Sequence, residues 1–143
     1  MNLYYGACSC GKVKLEFHSM LKLSIFAERR CDCDFCSARK IGYLSEPHGN
    51  LTIINQKPLK SYQQGSKQAD FLACPDCDDV ICASYQSDKQ SKGLIGSLNA
   101  KLLDEYLLLG SSETVSPKKL IVDDKLERWK QIWMPIEIIK KPA

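Results

Sequence analysis

The chain has 143 residues, of which 44% are hydrophobic and 26% are charged, and its formal net charge is +3. This length fits one globular domain spanning residues 1–143, and the ordinary composition excludes a disordered or fibrous protein. The small net charge disfavours a nucleic-acid partner, and no apolar run reaches the roughly 18 residues that a membrane-spanning helix needs.

The first ten residues, MNLYYGACSC, contain no basic segment followed by an apolar one. They therefore predict no signal peptide, and we expect a cytoplasmic protein. The cytosol is reducing, and in that compartment a chain with eight cysteines is more typical of a metal-binding protein than of a disulfide-bonded one.

The first half of the chain is typical of short β-strands. In KVKLEF (12–17), the apolar residues Val13, Leu15 and Phe17 alternate with charged ones, which predicts a half-buried strand. LKLSIFAE (21–28) predicts a second strand that runs into a group of cysteines. Further strands are expected at 41–46, 51–55, 59–64 and 68–73, separated by turn signals at 46–50, 55–58 and 64–67.

The second half continues this pattern at first. DVICASYQ (79–86) predicts another strand, and LIGSLNAKLL (94–103) fits a strand or a helix, of which we favour the strand because its neighbours are strands. GSSETVSP (110–117) is rich in Ser and Gly and is predicted to be a loop.

A helical pattern occurs near the C-terminus. DDKLERWKQIW (123–133) repeats apolar residues at helical spacing, with Asp123 or Asp124 as the expected N-cap. We therefore predict a mainly β fold, built from antiparallel strands, with zinc knuckles at the strand ends and a short C-terminal helix or turn.

Seven of the eight cysteines fall into three clusters with the spacings C-x-C, C-x-C-x-x-C and C-x-x-C. These clusters are Cys8 and Cys10, then Cys31, Cys33 and Cys36, then Cys74 and Cys77. Cysteines two positions apart are poorly placed to bond each other, whereas thiolates at these spacings readily converge on one ion about 2.3 Å away. The clusters therefore predict zinc.

The number of ligands divides the cysteines into two sets. A structural zinc takes four protein ligands, which Cys8, Cys10, Cys74 and Cys77 would provide. The remaining cluster has three cysteines, and three protein ligands with one open position are typical of a catalytic zinc.

Other arrangements remain open at this stage. One zinc could be held by the middle cluster and a single distant cysteine. Cys82 could close the middle site, although its strand pattern, VICAS, favours a buried free thiol. His48 could be a fourth ligand, but His48 and His18 both fit ordinary surface residues better.

Four segments resemble one known family. GACSCGKVKLEF, CDCDFCSARKIGYL, LKSYQQGSKQADFLACPDC and GSLNAKLLD occur in this chain in the order found in glutathione-dependent formaldehyde-activating enzymes, whose domain also occurs in centromere protein V. The resemblance covers roughly residues 3–104. In these relatives glycine usually follows the last cysteine, and here the residue is Asp78, which we expect in the left-handed conformation.

The resemblance implies a β-tent fold that carries two zinc ions. It assigns Cys8, Cys10, Cys74 and Cys77 to a structural zinc, and Cys31, Cys33 and Cys36 to a catalytic zinc. The implied activity is that of a carbon–sulfur lyase or synthase that forms or cleaves S-hydroxymethylglutathione, with glutathione and formaldehyde as substrates.

Basic residues flank the middle cluster, and we hypothesise that at least one of them steers the anionic tripeptide. These residues are Arg29, Arg30, Arg39 and Lys40. Two alternative functions remain: a non-catalytic zinc module that binds protein or nucleic acid, and a thiol or metal sensor.

Overall fold

The computed structural model describes residues 1–63, 68–86, 93–115 and 122–141. These residues form strands and two helices, which we number in chain order: β1 (Asn2–Ala7), β2 (Lys14–Ser19), β3 (Ala27–Cys31), α1 (Asp34–Arg39), β4 (Gly42–Leu44), β5 (Asn50–Asn55), β6 (Lys60–Gln63), β7 (Asp70–Ala73), β8 (Val80–Gln86), β9 (Leu94–Asn99), β10 (Ser111–Val115), α2 (Val122–Ile132) and β11 (Met134–Lys140).

All strands belong to one sheet, whose main path has the order β1-β2-β5-β11-β9-β4-β3-β10. A branch leaves this path at β9, which also pairs with β8; β8 pairs with β7, and β7 pairs with β6. Most pairs are antiparallel, but β11 runs parallel to β5 and β10 runs parallel to β3. The prediction of a mainly β fold with a short helix near the C-terminus is confirmed. The sheet is mixed rather than wholly antiparallel, because the chain returns to β5 and β3 from distant segments.

The alternating segments form strands because one of their faces packs on the core. Leu15 and Phe17 in β2 are buried, and β2 pairs with both β1 and β5. Strands also occur in each of the other segments predicted from 41 to 103, although β9 ends at Asn99 and continues into a 3-10 turn. The turn predicted at 64–67 lies outside the described residues.

Two segments differ from their prediction. In 21–28, Leu23–Ile25 forms a 3-10 turn and β3 begins at Ala27. Only Leu23 of that turn is buried and Ile25 is 65% exposed, so the apolar alternation did not mark a buried face. The predicted loop 110–117 contains β10, an edge strand without an apolar alternation, and its residues 116 and 117 lie outside the described part.

Helix α2 begins at Val122, so Asp123 and Asp124 lie in its first turn rather than at its N-cap. Neither β1 nor β11 was expected from the sequence, yet β11 completes the sheet between β5 and β9. In the described part of the chain, no helix is long and apolar enough to cross a membrane.

Buried side chains form two clusters on opposite faces of the sheet. Successive residues of a strand point to opposite faces. In β4, Tyr43 belongs to the second cluster and Leu44 to the first; in β8, Ala83 belongs to the second and Cys82 to the first. The second cluster is rich in aromatic rings and includes residues of both helices. Each face of the sheet carries one group of cysteines.

Candidate metal centres

The four-thiol cluster joins two turns that are distant in sequence. Cys8 and Cys10 lie between β1 and β2, Cys74 and Cys77 lie between β7 and β8, and all four sulfur atoms are within 4.8 Å of one another. The Sγ atoms of Cys8 and Cys10 are 3.5 Å apart, and those of Cys10 and Cys74 are 3.6 Å apart. Four sulfurs around one zinc would be about 3.8 Å apart, so this donor set fits a tetrahedral ion.

Each turn of the four-thiol cluster contains a residue in the left-handed conformation directly after its second cysteine. Gly11 has φ of 78° and donates its N–H to the Cys8 carbonyl at 2.9 Å. Asp78 has φ of 65° and donates to the Cys74 carbonyl at 3.0 Å. The left-handed conformation predicted for Asp78 is therefore confirmed.

Carboxylates support the second turn and join it to the first. Asp79 Oδ2 accepts a hydrogen bond from the Ser9 N–H at 2.7 Å, so it links the two turns directly. Asp78 Oδ1 accepts from the Tyr62 hydroxyl at 2.6 Å and pairs with Lys60 Nζ at 2.8 Å. The hydrogen bond from Lys60 holds the pKa of Asp78 below its usual range, and Tyr62 adds to this effect.

The thiol triplet is built from consecutive structure. Cys31 ends β3, Cys33 is the N-cap of α1, and Cys36 lies in the first turn of that helix. The Cys33 sulfur accepts the N–H of Cys36 at 3.4 Å, which bends the chain from an extended to a helical conformation. The three sulfur atoms consequently lie within 4.8 Å of one another.

Hydrogen bonds among the triplet favour an anionic sulfur. Interactions with Cys31 and then Cys36 lower the pKa of Cys33 to about 2. The same hydrogen bonding raises the pKa of Cys31 and Cys36, to which burial of Cys36 also contributes. Cysteine binds metals as the thiolate, a form that these hydrogen bonds favour at Cys33, and the convergence of all three sulfurs makes this donor set fit a metal ion.

Tyr43 contacts the triplet and was not identified as a site residue from the sequence. Its hydroxyl lies 3.2 Å from the Cys36 sulfur, and both side chains are buried. Burial, followed by the nearby Cys36 sulfur, raises the pKa of Tyr43 well above its usual value. Tyr43 therefore keeps its proton at neutral pH and can donate it to a Cys36 thiolate. No sequence signal marks this residue, because its strand pattern fits ordinary core packing.

The remaining predicted ligands lie apart from both clusters. Cys82 is fully buried in the first apolar cluster, and burial raises its pKa to about 12. His48 is exposed in the turn between β4 and β5. Among the residues that the structure describes, neither of these nor His18 joins the sulfur atoms of either cluster. Cys82 is thus a buried thiol, as its strand pattern indicated.

Three of the four basic residues near the triplet have structural contacts of their own. Arg30 lies on the face opposite Cys31 and pairs its Nε with Glu28 at 3.3 Å. The Arg39 guanidinium stacks 3.8 Å above the Phe35 ring. Lys40 adopts φ of 55° and ends helix α1.

Arg29 is different, because its side chain is partly buried and lies on the same face as Cys31. Its Nη2 donates to Ser45 Oγ at 2.6 Å, and Ser45 Oγ donates to the Ile132 carbonyl at 2.7 Å. Burial, followed by the positive charge of Arg128, lowers the pKa of Arg29, while Glu113 opposes this effect.

Comparison with known proteins gives a likeness of fold. No protein-family profile and no curated protein matches the chain. The crystal structure of a Rhodobacter sphaeroides protein, a structural-genomics target, matches with a TM-score of 0.53 at 23% identity, covering 76% of this chain and 99% of the other. At this identity the match shows a shared fold. Within this fold, two groups of cysteines could hold metal ions.

Proposed function

We propose that this protein is a zinc-dependent carbon–sulfur lyase of the glutathione-dependent formaldehyde-activating type, with a β-tent fold. It forms or cleaves S-hydroxymethylglutathione or a related adduct of a small thiol. The observation that carries this proposal is the thiol triplet: three sulfurs converge without a fourth Cys, His, Asp or Glu ligand among the described residues. Cys31 and Cys33 are only partly buried, so a small molecule can approach the cluster.

The four-thiol cluster has a structural role in this proposal. Its four sulfurs complete a tetrahedron, and Cys8 and Cys74 are buried, so no position remains for a substrate. Its zinc ties the β1–β2 turn to the β7–β8 turn. The two clusters thus hold two zinc ions with different roles.

The residues of the triplet prepare the site for a thiol. When bound there, zinc supplies a fourth coordination position and the positive charge that keeps a thiol deprotonated. Cys31, Cys33 and Cys36 would hold the ion, and the partial exposure of Cys31 and Cys33 would let a thiol reach it. With zinc bound and Cys36 deprotonated, the Tyr43 hydroxyl, 3.2 Å from the Cys36 sulfur, would donate a hydrogen bond to it and withdraw negative charge from it. This matters because three thiolates would otherwise repel an incoming anionic sulfur.

The reaction itself balances without an oxidant or a reductant. The thiolate sulfur attacks the formaldehyde carbon and forms the carbon–sulfur bond, while the carbonyl π electrons move to oxygen. That oxygen takes one proton, which equals the proton that the thiol lost. The reverse reaction breaks the same carbon–sulfur bond and returns both reactants.

Exchange of carbon-13 formaldehyde with glutathione, measured by NMR, tests this function. The adduct also forms without enzyme, so the expected result is faster exchange with zinc-replete protein than with protein stripped by a chelator. Cys31→Ala should abolish the acceleration. We choose Cys31 because Cys33 also caps α1.

Cys82→Ala is the matched control, since it removes a cysteine outside both clusters. It should keep the acceleration. Wild-type protein that does not accelerate exchange, or a Cys31→Ala variant that accelerates it fully, would overturn the proposed function.

A further inference from the structure

The Arg29 guanidinium is an unusual charge for its surroundings. Arginine is seldom buried without an acidic partner, and Arg29 is partly buried, yet no carboxylate of the described residues forms an ion pair with it within 4.0 Å. With the described residues, its side chain forms a hydrogen bond to a neutral hydroxyl, that of Ser45. The guanidinium carries five N–H donors, so its contacts with the described part of the chain leave most of them for a ligand.

A second arginine lies close to Arg29. Helix α2 meets Arg29 through the Ile132 carbonyl, to which Ser45 donates. Arg128 lies four residues before Ile132, and residues at this spacing share one helix face. Arg128 is exposed, and its charge acts on Arg29. The positive charge of Arg128 therefore acts on Arg29 from the helix that Ser45 joins to it.

One carboxylate lies near this pair. Glu113 in β10 is the register partner of Arg29 and therefore its cross-strand neighbour; it is exposed, and its negative charge favours the charged form of Arg29. The negative charge of Glu113 offsets one of the two arginine charges and leaves one positive charge. The surroundings of Arg29 and Arg128 therefore remain favourable for one further anion.

The arginine pair adjoins the thiol triplet. Arg29 and Cys31 are two residues apart on β3, so they point to the same face with a separation of about 7 Å along the strand. Tyr43 lies directly across from Arg29 in β4, and its hydroxyl contacts Cys36. A molecule with its sulfur at the triplet and a carboxylate a few bonds away would span this distance.

We propose that Arg29 and Arg128 form a carboxylate-binding subsite, which selects thiols that carry a carboxylate and orients them over the triplet. This inference rests on the proposed function and adds the class of its substrate. Arginine suits this task because its planar fork matches the two oxygens of a carboxylate.

Binding of S-methylglutathione tests the subsite without any thiol–metal bond, because its methylated sulfur has no proton to lose. Both tryptophans of the chain, Trp129 and Trp133, lie in and directly after α2 beside Arg128, with rings stacked at 4.5 Å. Their fluorescence should therefore change on binding. We expect the diethyl ester of S-methylglutathione, which lacks both negative charges, to bind at least about tenfold more weakly.

Arg29→Gln and Arg128→Gln should each weaken binding of S-methylglutathione by about tenfold or more. Arg128 is exposed, so its variant tests the subsite even where Arg29→Gln alters the fold. Arg39→Gln is the matched control, since it removes one positive charge near the triplet but not from the pair. It should change binding less than about twofold, because the Arg39 guanidinium stacks on the Phe35 ring and does not belong to the pair.

Three results would overturn the subsite: no binding to wild-type protein, equal binding of the acid and its ester, or unchanged binding by both arginine variants. These results are independent of the formaldehyde exchange. Arginine-dependent binding without accelerated exchange would refute the proposed function and leave the subsite. Accelerated exchange with normal binding by the variants would refute the subsite and leave the function.

Discussion

The two thiol clusters use the same ligand but are assembled in different ways. In the four-thiol cluster, Cys10 and Cys74 are 64 positions apart in the chain and meet only because the sheet brings their turns together. The triplet lies within residues 31–36, where the end of β3 and the start of α1 hold all three sulfurs. The assembly of the first cluster therefore depends on the fold, whereas that of the second depends mainly on local structure.

The surroundings of the clusters also differ. Cys8 and Cys74 pack within the aliphatic cluster on one face of the sheet, and Cys36 packs among aromatic rings on the other. Four sulfurs close the first site, and three leave the second open to a ligand. Under the proposed function, the chain thus separates a structural site from a reactive one by placing them on opposite faces.

The largest effect should come from removing one ligand of each cluster. We expect Cys74→Ala to lower the free energy of unfolding by more than about 3 kcal/mol, because metal binding at a site made by folding contributes to folding. Cys31→Ala should lose one equivalent of zinc with a much smaller loss of stability. Denaturant unfolding together with metal analysis measures both quantities. Equal losses of stability would contradict the division of roles.

The second largest effect should be a loss of metal affinity that is confined to the triplet. Tyr43→Phe removes the hydroxyl at 3.2 Å from the Cys36 sulfur, and loss of such a hydrogen bond weakens metal affinity by about 10–100-fold. Competition with a chelator should show one zinc released more readily and the other unchanged. Cobalt substitution should also shift the sulfur-to-metal absorption of one site. Identical release from wild type and variant would refute a role for Tyr43.

A smaller effect on stability is expected from substitutions at Asp78, in the second turn of the four-thiol cluster. Asp78 has φ of 65°, which costs an L-residue other than glycine about 1–2 kcal/mol. Asp78→Gly and Asp78→Ala both lose the contacts with Tyr62 and Lys60, so they differ mainly in this cost. We expect the glycine variant to be more stable by about 1 kcal/mol. Equal thermal unfolding of the two variants would show that the turn tolerates another conformation.

The smallest expected effect is a difference in stability between variants of two cysteines of the triplet. Cys33 binds the metal in our proposal and also caps α1, whereas Cys31 does not cap a helix. In metal-free protein, Cys33→Ala should therefore be less stable than Cys31→Ala by about 1 kcal/mol. Urea unfolding after chelation measures the difference. Two variants of equal stability would show that the cap contributes nothing.

Much of the sheet was predictable because a strand with one buried face has alternating apolar and polar residues. The alternation in β2 matches buried Leu15 and Phe17, and the apolar spacing of 123–133 matches α2. β10 has no such alternation, because its described side chains, at 111–113, are all exposed. Its parallel pairing with β3 depends on where the chain returns, and residue pattern does not encode that.

Residue spacing marked the local parts of the candidate site. Cys31, Cys33 and Cys36 lie within a few residues of one another, which predicted one set of ligands, but no residue pattern predicted that the chain turns there into helix α1. The left-handed position of Asp78 follows from its place after a C-x-x-C turn. Local geometry of this kind is set by bond angles and short hydrogen bonds, which the order of residues controls.

Contacts between distant residues could be read only from the folded chain. Ligand counting left open whether Cys82 or His48 is a metal ligand. In the structure Cys82 is buried in the core and His48 is exposed at a turn, so neither residue joins a thiol cluster. Packing also brought Tyr43 to Cys36 and, through Ser45, joined Arg29 to the end of α2. These contacts depend on sheet register and helix docking, which arise from many weak interactions summed over the whole core rather than from any short stretch of residues.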